Sequence, residues 1–348
     1  MSPYMMLMLL STLIMGTLIT LSSSHWLLAW LGLEINTFTI IPLMAQNSHP
    51  RALEATLKYF IVQTTAAIML MFSSTLNAWL SGQWDIQHMA HPLPLTVMTL
   101  ALALKMGLAP LHAWFPEILQ GLDFKVGLIL STWQKLAPLT LFIQISYEYF
   151  TLYFILSLAS ILVGGWGGLN QTQLRKILAY SSIAHLGWVI LIAHYYPPLA
   201  FLAFLIYAVM TFTLFFSFSY MCSTSMNALA TSWAKTPFLT SLIPLVLFSL
   251  GGLPPFTGFI SKWAILNELT KQSLTLMAAS AALSALLSLF FYLRLSYAIT
   301  LTMSPNNLPA TLPWRLPFLL PPLFLTTSLI ASFSLLPLSP SILALFLL

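Results

Sequence analysis

Apolar runs long enough to cross a membrane follow one another through the whole chain, separated by short loops. A hydrocarbon core of about 30 Å takes about 20 apolar residues of helix to span. Eleven segments meet that length: 3–21, 25–45, 54–80, 93–120, 126–146, 149–169, 176–195, 199–222, 237–266, 274–302 and 319–346. Inside a bilayer every backbone polar group needs an internal partner, which leaves helices or closed barrels. Barrel strands alternate over about ten residues; these runs are twice as long and do not alternate. The expected fold class is therefore all-α, a polytopic membrane protein of about eleven helices. Composition agrees, since 5% of the 348 residues are charged and 59% are hydrophobic, against about 25% charged in soluble domains. Twelve basic and seven acidic side chains cannot cover a soluble surface of this size, which excludes a soluble enzyme, a nucleic-acid binder and a disordered tail. The net charge of +5 is scattered between apolar runs and is no nucleic-acid footprint. The single cysteine, Cys222, excludes a disulfide framework and cysteine-ligated zinc or iron–sulfur sites within this chain. The N-terminal run has neither a basic n-region nor an Arg-rich transit pattern and is expected to be a span.

Loop lysines and arginines set orientation. On the side of the N-terminus lie Arg51, Lys125, Arg175, Lys176, Lys235 and Arg315; only Lys271 lies on the other. The N-terminal side is thus expected to be the side of synthesis, with the C-terminus across the membrane. Trp26, Trp30, Trp79, Trp84 and Trp314 fit an interfacial belt. No soluble domain interrupts the pattern, so residues 1–348 are expected to be one membrane domain, with halves 1–146 and 149–302 and a C-terminal helix over 319–346. Segments 93–120 and 237–266 are longer than one span needs, and each is interrupted near its middle, by Gly107-Leu-Ala-Pro110-Leu and Gly252-Leu-Pro-Pro255-Phe. The interruptions align without a gap. Such breaks must face protein or a wet cavity, and paired broken spans in corresponding halves point to the repeats of transporters, with a working site near the midplane.

A few charges fall inside the spans, at roughly 3 kcal/mol each near a helix centre. Glu34 is central in 25–45 and Lys135 in 126–146; Lys105 precedes the first break and Lys262 follows the second. One isolated lysine would read as a structural pair or a snorkelling end. Four central ionisable groups around two broken helices read as a proton path, with hydroxyls such as Thr132, Ser181 and Ser182 holding water between them. His185, central in 176–195, has the right proton affinity for a relay, and His112, just after the first break, is a candidate to line the same cavity. No spacing suggests a metal site. The glycines of GGWGG at 164–168 lack a strand–turn–helix context and fit close helix packing instead.

Four stretches then carry a resemblance: SSSHWLLAWLGLEINTFTIIPLMAQNSHPRALEATLKYF, LALALKMGLAPLHAWFPEILQG, LNQTQLRKILAYSSIAHLGW and SLGGLPPFTGFISKWAI. Together they closely resemble the antiporter-like membrane subunits of respiratory complex I, in the subunit 2 branch of vertebrate mitochondria. The resemblance covers essentially the whole chain. It implies two inverted repeats of five helices, each with one discontinuous helix. It also implies a multi-pass protein of the mitochondrial inner membrane, with its N-terminus on the matrix side and its C-terminus on the intermembrane-space side. By position it carries a proton relay onto Glu34 paired with Lys105, then Lys135, and Lys262 distally; His185 falls where related subunits often have lysine. It implies proton translocation driven by NADH-to-ubiquinone electron transfer elsewhere in the complex. NADH, FMN, iron–sulfur clusters and ubiquinone would be bound by other subunits, with no cofactor in this chain. The implied partners are other membrane-arm subunits, including neighbouring antiporter-like ones, accessory subunits, and membrane lipids with cardiolipin among them. Two rival functions are a stand-alone cation/proton antiporter, which would need an ion site that seven acidic residues hardly furnish, and a structural spacer of the membrane arm.

Overall fold

The computed structural model describes residues 2–46, 49–89, 91–145, 150–234, 236–301 and 323–345. Lys235, Trp314 and Arg315, and the start of the 319–346 segment, lie outside the described residues. The chain divides into two compact units, Met1–Ser157 and Leu158–Leu348.

In the first unit, α1 (Pro3–Ser22), α2 (Trp26–Met44) and α3 (Pro50–Ser81) are continuous helices. Proline opens α1 and α3 in the first turn, where its missing N–H costs nothing. Gly82, at φ +74°, closes α3 in the left-handed conformation that glycine adopts without strain. Helices α1 and α2 touch backbone to backbone, since a Cβ on Gly16 would sit 3.0 Å from the Gly32 carbonyl and one on Gly32 2.8 Å from that of Gly16. The expected break follows. α4 (Pro92–Met106) ends on Gly107 at φ +77°, and α5 (Trp114–Gly121) resumes beyond the prolyl turn. A second interruption was not expected: the 126–146 segment is two helices, α6 (Phe124–Ser131) and α7 (Trp133–Gln144), parted at Thr132 with φ −113° and ψ −67°. Helix α7 packs on α4, α1 and α2, which brings its inner face to the first break.

α8 (Phe150–Gly168) leads into the second unit, which holds α9 (Leu174–Ala193), α10 (Pro197–Tyr220), the short α11 (Met226–Ala230), α12 (Pro237–Gly251), α13 (Thr257–Lys271), α14 (Thr275–Thr300) and α15 (Leu323–Leu345). The GGWGG glycines pack as expected: a Cβ on Gly164 would meet the backbone of Tyr180 and Ala184 at 2.9 and 2.7 Å, and Gly168 lies against the Phe291 ring. Helix α10 touches α9, α12, α13 and α15 and forms the centre of this unit.

The two units repeat one order of elements. A helix N-terminus is tied by an isolated antiparallel bridge to the loop two helices on, His25 to Asp85 in the first unit and Gln173 to Ser225 in the second. The broken helix comes next. Its first half closes in the same way in both, with the glycine and the residue after it donating to one carbonyl: Gly107 and Leu108 to Ala103, Gly252 and Leu253 to Phe248. The proline that follows in each case cannot continue the helix. By length and composition, eight described helical stretches can cross a membrane alone. The two halves of α15, bent by 75°, make a ninth if taken as one span, and α4 and α12 are shorter apolar helices, so among the described residues eight or nine of the eleven expected spans meet the length on their own.

Trp26 is a correction to the interfacial belt. It is fully buried, its backbone N–H donating to the Trp84 carbonyl, so it is a core residue of the first unit.

Candidate functional site

Lys105 stands in the last turn of α4, where the exposed carbonyls of a helix end favour a cation. It is 6% exposed, and its Nζ is buried without a hydrogen-bond partner among the described residues. Lys135, 2% exposed on α7, places its Nζ 4.2 Å from the centroid of the Phe115 ring on α5. An ammonium over an aromatic face in a dry setting gains about 2 kcal/mol. Both lysines line one cavity of about 20 Å³ together with Thr37, Tyr59, Gln63, Trp114, Phe115 and Gln134. That volume holds about one water molecule, and Thr37, Tyr59, Gln63 and Gln134 bring polar side chains to the lining. Elsewhere, Gln134 Nε2 donates to the Asn36 carbonyl at 3.2 Å, which ties α7 to α2.

Glu34 is placed differently from the simple pair that its position suggests. It is half-buried on α2 and accepts a hydrogen bond from the Thr37 hydroxyl at 3.2 Å. It lines a wide apolar groove between α2 and α3, with Trp30, Phe38, Ile68 and Phe72, rather than the lysine cavity. Glu34 and Lys105 form no ion pair; the described ion pairs join Lys58 to Glu54 and Glu117, and Lys271 to Glu268. Glu54 and Lys58, four residues apart on α3, pair at 3.0 Å. His112 is half-buried in the break, its Nδ1 3.2 Å from the Pro110 carbonyl, and does not line the lysine cavity.

In the second unit, Lys262 lies on α13 and reaches back across the break. Its Nζ donates to the carbonyls of Leu250 at 3.3 Å and Gly251 at 2.9 Å, the last two residues of α12. Both breaks therefore set a lysine at the carbonyl end of the first half-helix, one from α4 itself and one from the half that follows. His185, half-buried on α9, has its Nε2 3.3 Å from the Tyr292 hydroxyl and its ring 5.4 Å from that of Tyr207. The expected water-holding hydroxyls are turned onto their own helices: Thr132 donates to Leu128, Ser181 to Leu178 and Ser182 to Ala179.

Several residues of these sites were not expected from the sequence: Tyr59, Gln63 and Gln134 around the lysines, and Tyr207 and Tyr292 around the histidine. A signal for three of them existed. Tyr59 and Gln63 are four residues apart on α3, and Tyr207 and Thr211 are four apart on α10, so each pair puts polar groups on one face of an apolar helix.

A transmembrane family model described as NADH:quinone oxidoreductase/Mrp antiporter matches residues 23–288, most of the chain. The chain belongs to that family. A second model, NADH dehydrogenase subunit 2 C-terminus, matches residues 289–343. Among full-length relatives, NADH-ubiquinone oxidoreductase chain 2 of Tetraodon nigroviridis is 63% identical over 346 residues, covering 99% of both chains. The protein of the same name from Gadus morhua is 60% identical over 345 residues, with 99% of both covered. A chain of respiratory complex I from Thermus thermophilus, solved with bound aureothin, superposes with a TM-score of 0.84 at 25% identity, over 97% of this chain and 78% of that one. The broken helices and the buried lysines described above are thus those of a NADH:quinone oxidoreductase/Mrp antiporter family member. Among the described residues no group of histidine, cysteine and acidic side chains could hold a metal ion.

Proposed function

We propose that the chain is the proton-translocating antiporter-like subunit 2 of the membrane arm of complex I, a multi-pass protein of the mitochondrial inner membrane. The observation that carries the mechanism is the cavity shared by Lys105 and Lys135, with room for one water among nine further side chains, four of them carrying hydrogen-bonding groups besides the indole of Trp114. A proton can pass between two amines only if one is neutral and a hydrogen-bonded bridge joins them. The cavity supplies the place for that bridge, and the centroid of the Phe115 ring lies 4.2 Å from the Lys135 amine.

Glu34 and Lys105 are coupled through space rather than by contact. A charge change in a neighbouring subunit at the α2–α3 groove alters the Coulomb attraction of Glu34 on Lys105 and drives a proton toward Lys135. His185 and Lys262 continue the path in the second half, and His112 stands at the edge of the first break. Moving one charge against the membrane potential takes about 2.3 kcal/mol per 100 mV, the size of a one- to two-unit shift in proton affinity. The residue halves 1–146 and 149–302 act as the two repeats, with the N-terminus on the matrix side and the C-terminus on the intermembrane-space side. The energy arrives from NADH-to-ubiquinone electron transfer in other subunits, which carry the cofactors. Other membrane-arm subunits are the partners, with accessory subunits and cardiolipin at the lipid-facing helices.

Replacing Lys135 with Met tests this reading in the assembled complex. The expected outcome is intact assembly with fewer protons moved per NADH oxidised, measured with a pH-sensitive dye in sealed vesicles. Unchanged pumping in an intact complex would overturn it and leave a spacer. Proton flux through the isolated chain in liposomes, independent of NADH, would instead favour a stand-alone antiporter.

A further inference from the structure

The histidine of the second unit lies between two buried tyrosines that the path above does not use. Tyr207 and Tyr292 are 2% and 1% exposed. The Tyr292 hydroxyl lies 3.3 Å from His185 Nε2, with the Ser181 hydroxyl as a second polar neighbour; the polar neighbours of the Tyr207 hydroxyl are Ser182 and Thr211. All of these residues belong to α9, α10 and α14 of one unit.

The directions of these bonds constrain one another. A serine hydroxyl has one hydrogen, and that of Ser181 goes to the Leu178 carbonyl at 2.8 Å. The Ser181 oxygen then faces Tyr292 only as an acceptor. Tyr292 also has one hydrogen, and it has two acceptors within reach: Ser181 Oγ, and His185 Nε2 when that nitrogen carries no proton. With Nε2 bare, the hydroxyl donates to the ring. With Nε2 protonated, the ring donates, and the hydroxyl turns its hydrogen to Ser181. Each setting of the hydroxyl is tied to one protonation state of Nε2.

We propose that Tyr292 is the positioning residue of His185, holding the imidazole in place and turning its hydroxyl between His185 Nε2 and Ser181 as Nε2 loses and gains a proton. The functional part of this inference rests on His185 being a member of the proton path. Loss of the single hydrogen bond changes the balance between ring orientations about fivefold. The ring of Tyr292 packs at 4.4 Å on that of Phe291, so Tyr292→Phe keeps the buried ring and removes only the hydroxyl.

The test uses the whole complex in sealed vesicles, with Tyr292→Phe, His185→Gln and the double variant. Protons moved per NADH oxidised are measured, together with the imidazole infrared band identified by its loss in His185→Gln. Tyr292→Phe is expected to lower the proton ratio and to shift that band, and the double variant to pump no worse than His185→Gln alone. An unshifted band overturns the proposal, as does a double variant whose loss is the sum of the two. Normal pumping by His185→Gln would instead overturn the membership of His185 in the path, while the band still decides whether Tyr292 sets the ring. Ser181→Ala covers the case in which Tyr292→Phe fails to assemble. It leaves the hydroxyl one acceptor, so the band must shift opposite to any change that removes the bond, and an unchanged band overturns the proposal.

Discussion

Three glycines of this chain sit at positive φ, and alanine at each of them separates backbone strain from the placement of Lys262. Gly82, Gly107 and Gly252 have φ of +74°, +77° and +81°. An alanine in the left-handed region costs about 1–2 kcal/mol at any of the three. The surroundings differ. Nothing lies within 4 Å of a Cβ built on Gly82, and the nearest atom to one on Gly107 is Trp114 Cζ2 at an ordinary 3.4 Å. A Cβ on Gly252 would meet Lys262 Cδ at 2.9 Å, Nζ at 3.1 Å and Cε at 3.3 Å. The lysine end is flexible and gives way, which moves its ammonium off the carbonyls of Leu250 and Gly251. Hydrogen bonds from a charged donor contribute about 1.5–3 kcal/mol each. Losing both, about 3 kcal/mol at the low end of that range, lowers the docked population of Lys262 about 150-fold. Gly82→Ala and Gly252→Ala are therefore both expected to lower the thermal stability of the complex, Gly252→Ala the more because it also loses these bonds, and only Gly252→Ala to lower protons moved per NADH oxidised. The reasoning is refuted if Gly252→Ala pumps as well as Gly82→Ala.

Two further substitutions address packing around the sites. Phe115→Leu removes the aromatic face under Lys135, about 2 kcal/mol of ammonium stabilisation, and is expected to reduce pumping with assembly retained; Phe115→Tyr keeps a π face and should pump nearer to the parent, as dye quenching in vesicles will report. Gly164→Ala drives a methyl to 2.7 Å from the Ala184 backbone nitrogen, and neither backbone can yield as a side-chain tip does. Overpacking of about 1–3 kcal/mol is expected to lower the yield of assembled complex on native gels, with pumping per assembled complex preserved.

How much could be read from the residues depends on what periodicity encodes. Length and apolarity locate a span, so the segments matched the observed helices to within a few residues at most ends. Gly-Leu-x-Pro located both breaks, because a left-handed glycine followed by proline has few other uses inside an apolar run. The break at Thr132 carries neither residue. Its available signal was Pro138, inside α7, whose ring crowds the carbonyl of Gln134 one turn back. Depth was also legible: Lys105, Lys135 and Lys262 are all buried. The direction in which a side chain leaves its helix was not, because that depends on which neighbours pack there. Hence Glu34, central in its span, lines the outer groove of α2 and α3, and His112, adjacent in sequence to the first break, stands outside the lysine cavity.

The two breaks also show why matching sequence motifs need not place charge in matching ways. The glycine-led turns close on equivalent carbonyls, yet Lys105 leaves the half-helix before the break and Lys262 the half-helix after it. What the two share is a place next to the carbonyl end of a half-helix, in the last turn itself for Lys105 and across the break for Lys262. The last carbonyls of a half-helix have no intrahelical donor, and in a membrane interior water cannot reach them freely, so each break creates a negative spot that a lysine can fill. Lys262 fills its spot with two hydrogen bonds. Lys105 has its amine buried without such a bond and turned to the cavity it shares with Lys135. The two amines therefore differ in how they are held: Lys262 is fixed on its carbonyls, while Lys105 is left facing a polar cavity.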